Sequence, residues 1–465
     1  MPFLSLPPIL RFVDVRVKFL MRMRSQPTSI RNLSRIHYQA RCFSFSTTSS
    51  DGGDDDTQHQ RPLFVAATKQ HVGKTTTCLA LLSGLQKRFD NVGFLKPVGQ
   101  QHVQVDIDVD VDVDVDEDSM PSKIRVDKDV VLIKEYFHLD HIDYRFMSPV
   151  IIPNGYTKRY VDGKISTADQ QREVEEAAEH ISSRSDITVI EGTGHCAVGS
   201  IVGLNNAKVA KLLGADMILI ANGGLGKAFD ELELNRVLCE QNNVRIAGVI
   251  INKVIPEKYE QTKHYLQKAM MQTWGIPLLG CVPDRPYLGC PALADLEQLF
   301  KTELISGKKA KNRFRHYTIQ DINLVTTSSK LFLENIRSRK PTRTLYICHI
   351  TRDDLILGFL DEYQRRRSGS AEPPFEAALL ICGRSDTYEL SEEVETMIKD
   401  NNDNDDDDDG PSIMIVDSTT HETVTKILRY TPKLNIDDTS RVSVAVDHYE
   451  KYIDFDKLLS RTKKE

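Results

Sequence analysis

The chemistry most easily read from this chain lies in one short stretch, Thr68-Lys69-Gln70-His71-Val72-Gly73-Lys74-Thr75-Thr76. It follows an apolar run, LFVAAT (63–68), and precedes a helical stretch. A turn in that context aims successive backbone N–H groups and a helix N-terminus at an anion. Lys74 is placed to neutralise the oxygens between a β- and a γ-phosphate, and the Thr75 hydroxyl to sit on Mg²⁺. The spacing is that of a nucleotide phosphate loop, with Thr68 where a first glycine usually stands. The expected nucleotide contacts are Thr68, Lys69, His71, Val72, Gly73, Lys74, Thr75 and Thr76, and the implied cofactors are ATP and Mg²⁺. The plain alternative, a chance Gly-Lys-Thr before a helix, is disfavoured by the strand in front.

Such a loop needs a scaffold, and the pattern supplies one. Apolar runs recur at 63–68, 92–98, 187–192, 217–223, 246–252 and 277–283, with helical stretches between them. The runs are aliphatic without period-2 alternation, as in strands buried on both faces of a parallel sheet. Repeated units of this kind predict an α/β fold, a mostly parallel doubly wound sheet, over 61–300. After Pro291 the chain restarts. TLYICHI (344–350), AALLICG (377–383) and SIMIVD (412–417) predict a smaller α/β domain over 301–465. Two acidic stretches, 104–118 and 400–410, read as solvated loop insertions because closely spaced like charges repel. The Val/Asp alternation in the first lacks the glycine-turned ligand loop of a calcium site.

The formal net charge of -7 combines 60 basic with 67 acidic residues. It averages unlike parts: a basic first fifty residues, three acidic runs and a nearly balanced remainder. That balance gives no case for nucleic-acid binding. No apolar stretch is long enough to span a membrane. Residues 1–60 are read as a transit peptide and linker: Arg-rich, Ser/Thr-rich and almost free of acid before residue 51. Arg41-Cys42-Phe43-Ser44 resembles a mitochondrial processing site, so the expected address is the mitochondrial matrix, with a plastid or a plain disordered tail as alternatives. The eight cysteines include no Cys-x-x-Cys pair and read as reduced, mostly buried thiols.

The loop with its opening Thr, followed by Lys96-Pro97-Val98-Gly99-Gln100, resembles the dethiobiotin synthetase branch of P-loop proteins. Several strings are similar to the N-terminal region of long bacterial phosphate acetyltransferases: Asp127–Phe137, Ser148–Lys164, Ala221–Asn235 and Gly275–Asp284. The second domain resembles the DRTGG-type domain of those proteins, with Thr351-Arg352-Asp353-Asp354 and Gly383-Arg384 as remnants of its signature. The acetyl-transferring domain has no counterpart in the chain, so acetyl phosphate synthesis by this chain alone is not expected.

The resemblance implies roles for further residues. Lys96 becomes a second catalytic cation beside Lys74, or else a surface lysine at a strand end. Asp129, with Asp127 as alternate, becomes a metal contact, or either is a helix cap. Glu191, closing the run ITVIE, is the other metal contact with Thr75. Lys96, Gly192, Thr193, Gly194 and His195 outline an acceptor pocket, although His195 stands where the related branch has glycine and equally fits a core or capping role. Asn252 sits where relatives read the base, or only ends a strand. Three readings follow: phosphoryl transfer from ATP to a carboxylate or carbamate, a nucleotide-binding regulatory or scaffold protein linked to acetyl-phosphate and acetyl-CoA metabolism, or a relic without nucleotide chemistry. A homo-oligomer is expected in any of them.

Overall fold

The structure is a computed structural model. It describes residues 60–106, 123–307, 321–338, 343–368, 375–402 and 410–463. All six apolar runs of the first domain form strands of one parallel six-stranded sheet. From one edge to the other the strands are Leu278–Pro283, Ile246–Val254, Asp216–Asn222, Leu63–Ala67, Ile187–Glu191 and Val92–Leu95. Leu63–Ala67 and Ile187–Glu191 are buried at every position, because helices cover both faces. Local signals set the helix starts: Ser166 caps Thr167–Ser182 and Asn205 caps Asn206–Leu212, each side chain accepting a backbone N–H of the first turn.

The chain runs outward from Leu63–Ala67 in both directions. Val92–Leu95 and Ile187–Glu191 lie on one side, and the three later strands lie on the other. The strand order therefore reverses at Leu63–Ala67. In open α/β sheets the crevice beyond the carboxyl ends of the strands at such a point is where ligands bind. The phosphate loop leaves from that end, as do Lys96, Glu191, Asn252 and Asp284 from their own strands. One end of the sheet thus gathers residues more than two hundred positions apart.

The second sheet has five strands, in the order Leu304–Ser306, Ser412–Val416, Ala378–Cys382, Thr344–His349 and Asp321–Leu324. The first is antiparallel to its neighbour and the others are parallel. Helices Ser329–Ser338, Asp353–Ser368 and Glu392–Asn402 contribute Phe332, Phe359 and Val394 to one core. Leu293, Leu296 and Ile427 belong to the core on the other face.

Two features differ from the pattern-based expectation. The start of the acidic stretch is not loop: His102–Asp106 pairs antiparallel with Lys123–Asp127, so main-chain pairing holds this part of the insertion in place. The expected second domain, 301–465, also gives up its last part. Helices Thr439–Glu450 and Phe455–Arg461 return to the first domain, and Val442, Val446, Tyr449, Phe455 and Leu458 sit in the main core. A short amphipathic helix shows an apolar face but not the partner that face will find, so the division could not be read locally. The stretch read as a transit peptide and most of both acidic runs lie outside the described residues. Among the described residues no helix is long and apolar enough to cross a membrane.

Candidate nucleotide site

The loop leaves the sheet at Thr68 and enters helix Lys74–Gln86 through Gly73, whose φ is 103°. A Cβ at Gly73 would lie 2.4 Å from Asn252 Nδ2, so the position requires glycine. Thr77 N–H bonds back to the Gly73 carbonyl. The amides of Lys74, Thr75 and Thr76 precede that first helical bond and are the N-terminal donors that favour an anion. Burial pushes the Lys74 ammonium below its usual pKa.

Around this helix start the charged groups converge. Thr75 Oγ1 donates to Glu191 Oε1 at 2.9 Å and lies 3.5 Å from Asp129 Oδ2. Lys96 Nζ is 3.0 Å from Asp127 Oδ1 and 3.8 Å from Glu191 Oε1, and it donates to Asp129 Oδ2. Burial alone would lower the Lys96 pKa, but the facing carboxylates of Glu191, Asp129 and Asp127 outweigh it and raise it. Burial works to raise Asp129, and the adjacent Lys96 overcomes this and holds it low. Burial pushes Glu191 above the usual carboxylate range.

The two aspartates that sequence left as alternates divide the work. Asp127 caps helix Lys128–Phe137, with Oδ1 accepting from Asp129 N–H at 3.1 Å. Its Oδ2 accepts from the amides of Gln100 and Gln101. Asp129, inside the first turn, is the one that faces Thr75.

Lys74, Thr75, Thr76, His71, Gly73, Lys96, Asp129, Glu191 and the segment Gly192 to Gly194 all line one cleft of about 570 Å³. The remaining expected residues lie elsewhere. Thr68 Oγ1 and Lys69 Nζ both donate to Glu231, each at 2.9 Å, bracing the outside of the loop. Val72 is fully buried. His195 is exposed and its Nδ1 accepts from Ala197 N–H at 3.3 Å, the capping alternative rather than a pocket wall. Asn252 is fully buried and donates to the Val72 carbonyl. In this arrangement its side chain faces the loop.

The oxygen set suits Mg²⁺, a hard cation that takes one or two carboxylates together with phosphate oxygens and water. Glu191 Oε2 is buried with no hydrogen-bond partner among the described residues, a lone pair available to a cation. Among the described residues no cluster of three or more His, Cys, Asp or Glu is arranged to hold a metal by itself, so phosphate oxygens would have to complete the set. Charge points the same way. Lys74 and Lys96 face Asp127, Asp129 and Glu191, so with all five ionised the inner site repels polyphosphate unless a divalent cation reverses its sign.

The AAA domain family (AAA_26) matches residues 61–292. These residues belong to that family. The phosphate acetyltransferase of Nitrosomonas europaea is 24% identical over 305 residues, covering 63% of this chain and 38% of that protein. The phosphate acetyltransferase of Synechocystis sp. is 21% identical over 415 residues, covering 86% of this chain and 52% of that protein. The matches thus span about half or less of these relatives' own length. A MinD cell division protein of Aquifex aeolicus aligns over 49% of this chain with 15% identity and a TM-score of 0.29.

The AAA domain does not complete its own cleft. Thr431, Pro432, Lys433 and Leu434, with Ala445 and Tyr449, line it from the returning C-terminal segment. Sequence reasoning missed these residues, as it missed Glu231 and Arg285. Glu231 lies inside the string Ala221–Asn235 but was given no role there, and the segment from 431 to 449 meets the loop only after some 350 residues of intervening chain.

Proposed function

We propose that the AAA domain binds ATP with Mg²⁺ and transfers the γ-phosphoryl group to a carboxylate or carbamate oxygen. The observation that carries this reading is the convergence of Lys74, Thr75, Lys96, Asp129 and Glu191 at one helix N-terminus. Thr75, Asp129 and Glu191 would hold the metal, which supplies charge neutralisation between the β- and γ-phosphates. The loop amides and Lys74 bind the β- and γ-phosphoryl oxygens. Lys96, on the facing strand end, orients the incoming carboxylate and screens its approach to an anion.

The acceptor oxygen forms a bond to Pγ as the bond from Pγ to the β–γ bridging oxygen breaks, giving an acyl phosphate and ADP. A carboxylate has no proton to lose in that step. The site therefore needs no general base, which fits carboxylates already engaged by Lys96 and Thr75. Catalysis is then positioning and electrostatics.

The test is ATP turnover by the purified chain with Mg²⁺, using a panel of carboxylic acids and of diamines with bicarbonate. Hydroxylamine would trap an acyl phosphate as a hydroxamate. Acceptor-dependent ADP release that Lys74→Ala abolishes supports the reading; ADP release that ignores every acceptor and survives Lys74→Ala sinks it. A second reading, a nucleotide-binding regulator linked to acetyl-phosphate metabolism, draws on the sequence match to phosphate acetyltransferases. It expects Mg²⁺-dependent ATP binding without turnover.

A further inference from the structure

The C-terminal segment carries a cation into the cleft that the phosphate loop does not supply. Residues 431–435 connect helix Thr420–Arg429 to a turn at 436–437 before helix Thr439–Glu450, with exposure alternating from 431 to 437. Leu434 and Ile436 turn inward and pack on the main core. Lys433, at the intervening register, is exposed and lines the nucleotide cleft. It also lines a neighbouring cavity of about 690 Å³ between 292–303 and 433–441.

Three observations mark Lys433 as built for an anion. Its position is fixed at both ends. Tyr430 Oη donates to Asp295 at 2.9 Å on one side. On the other, Val442, Val446 and Tyr449 anchor the following helix in the core, and Glu450 accepts from Ser83 at 2.7 Å. Its partner is neutral: Nζ donates to Gln101 Oε1 and makes no ion pair among the described residues, unlike Lys96 with its three carboxylates. Finally, it lines the same cleft as His71 of the loop and as Asp129, whose Oδ2 lies 3.5 Å from Thr75 Oγ1.

We propose that Lys433 binds the terminal phosphate of a bound nucleoside triphosphate, reaching the cleft from the returning C-terminal segment. This rests on the nucleotide reading above. The group exchanged is small: Nζ gives up a neutral amide oxygen for an anionic phosphate oxygen, a stronger acceptor.

Calorimetry on the full chain tests this with MgADP and a Mg²⁺-bound non-hydrolysable ATP analogue. Lys433→Met is expected to weaken the analogue about tenfold while changing ADP affinity less than about twofold. Lys433→Arg should restore most of the loss. Far-UV circular dichroism should show both variants folded, since the side chain is exposed and its bond is to Gln101 alone. Equal affinity of Lys433→Met and the parent chain for both nucleotides overturns the proposal. So does an equal loss for both, which would mark a general structural effect. Lys74→Ala separates the two levels. If it loses both nucleotides while Lys433→Met loses neither, only the Lys433 contact fails. If it binds both as the parent does, the nucleotide reading falls and takes this contact with it.

Discussion

Asn252 donates its side-chain N–H to the Val72 carbonyl at 2.6 Å, tying the carboxyl end of one strand to the crown of the phosphate loop. Both residues are fully buried. The bond explains how a loop lacking its usual first glycine stays in place: Glu231 braces Thr68 and Lys69 outside, and Asn252 holds Val72 from beneath. Asn252→Ala removes the donor and leaves a buried carbonyl unsatisfied, at a cost of roughly 1–3 kcal/mol. Thermal denaturation should show a clear fall in midpoint, and nucleotide affinity should fall about tenfold because the loop loses its anchor. Unchanged affinity in a folded variant would show that the loop holds itself.

Glu191 makes an opposite prediction for stability. Its Oε2 is buried without a partner among the described residues, and burial holds its carboxyl above the usual range. A buried carboxylate oxygen without a partner is costly to the free protein. Glu191→Gln removes the buried charge at constant shape, so the metal-free chain should be as stable as the parent or more so. The same change should remove most of the Mg²⁺ enhancement of ATP binding. Melting curves with and without MgATP read both effects. A destabilised variant with intact Mg²⁺ dependence would make Glu191 a structural acid serving Lys96 and Thr75.

The loop and its sheet were legible because the information is local. LFVAAT, Gly73-Lys74-Thr75 and the aliphatic runs ending at Lys96, Glu191 and Asn252 carry strand, turn and helix start in their own residues. Parallel order then sends every strand's carboxyl end to the same place. Roles decided by distant packing were not legible. The bond of Asn252 to the loop depends on Val72, and the bond of His195 on Ala197 N–H. The choice between Asp127 and Asp129 turned on which of them caps the helix. Nothing near Lys433 or Tyr449 signals the cleft, since their placement follows from where an amphipathic helix finds its apolar partner.

That partner is the helix of the phosphate loop. A Cβ on Gly84 would meet Phe455 Cζ at 2.0 Å, so the tip of the ring abuts the helix backbone, and the Arg88 guanidinium lies over the ring 4.6 Å from its centroid. Phe455→Ala should cost ~3–5 kcal/mol through lost burial and the cavity left behind. Gly84→Leu should be as damaging by overpacking. Trp274, the single tryptophan, stacks on Phe229 in the first domain and reports its unfolding directly. Denaturant titrations followed at Trp274 should therefore shift in both variants, although Phe455 lies beyond the second domain in sequence. If only a probe of the second domain responds, the returning helices contribute nothing to the first.

In the second domain the fully buried carboxylate of Glu362 is the place where pH should act. Burial by itself would raise its pKa. Hydrogen bonds from Arg365, Arg337 and Arg366, the shortest 2.6 Å, more than offset this and hold it down to about 2. A folded value below the unfolded 4.5 means stabilisation that is complete above about 4.5 and lost as pH falls toward 2. Two of the arginines are partly exposed, so solvent screening limits the contribution to roughly 1–3 kcal/mol. Guanidinium titrations of the parent, followed by far-UV circular dichroism, should show the second domain's transition weakening between pH 4.5 and pH 3. Glu362→Gln should begin weaker at neutral pH and lose that part of the acid dependence. Parallel pH profiles for the two proteins would show that the arginines do not hold the carboxylate charged.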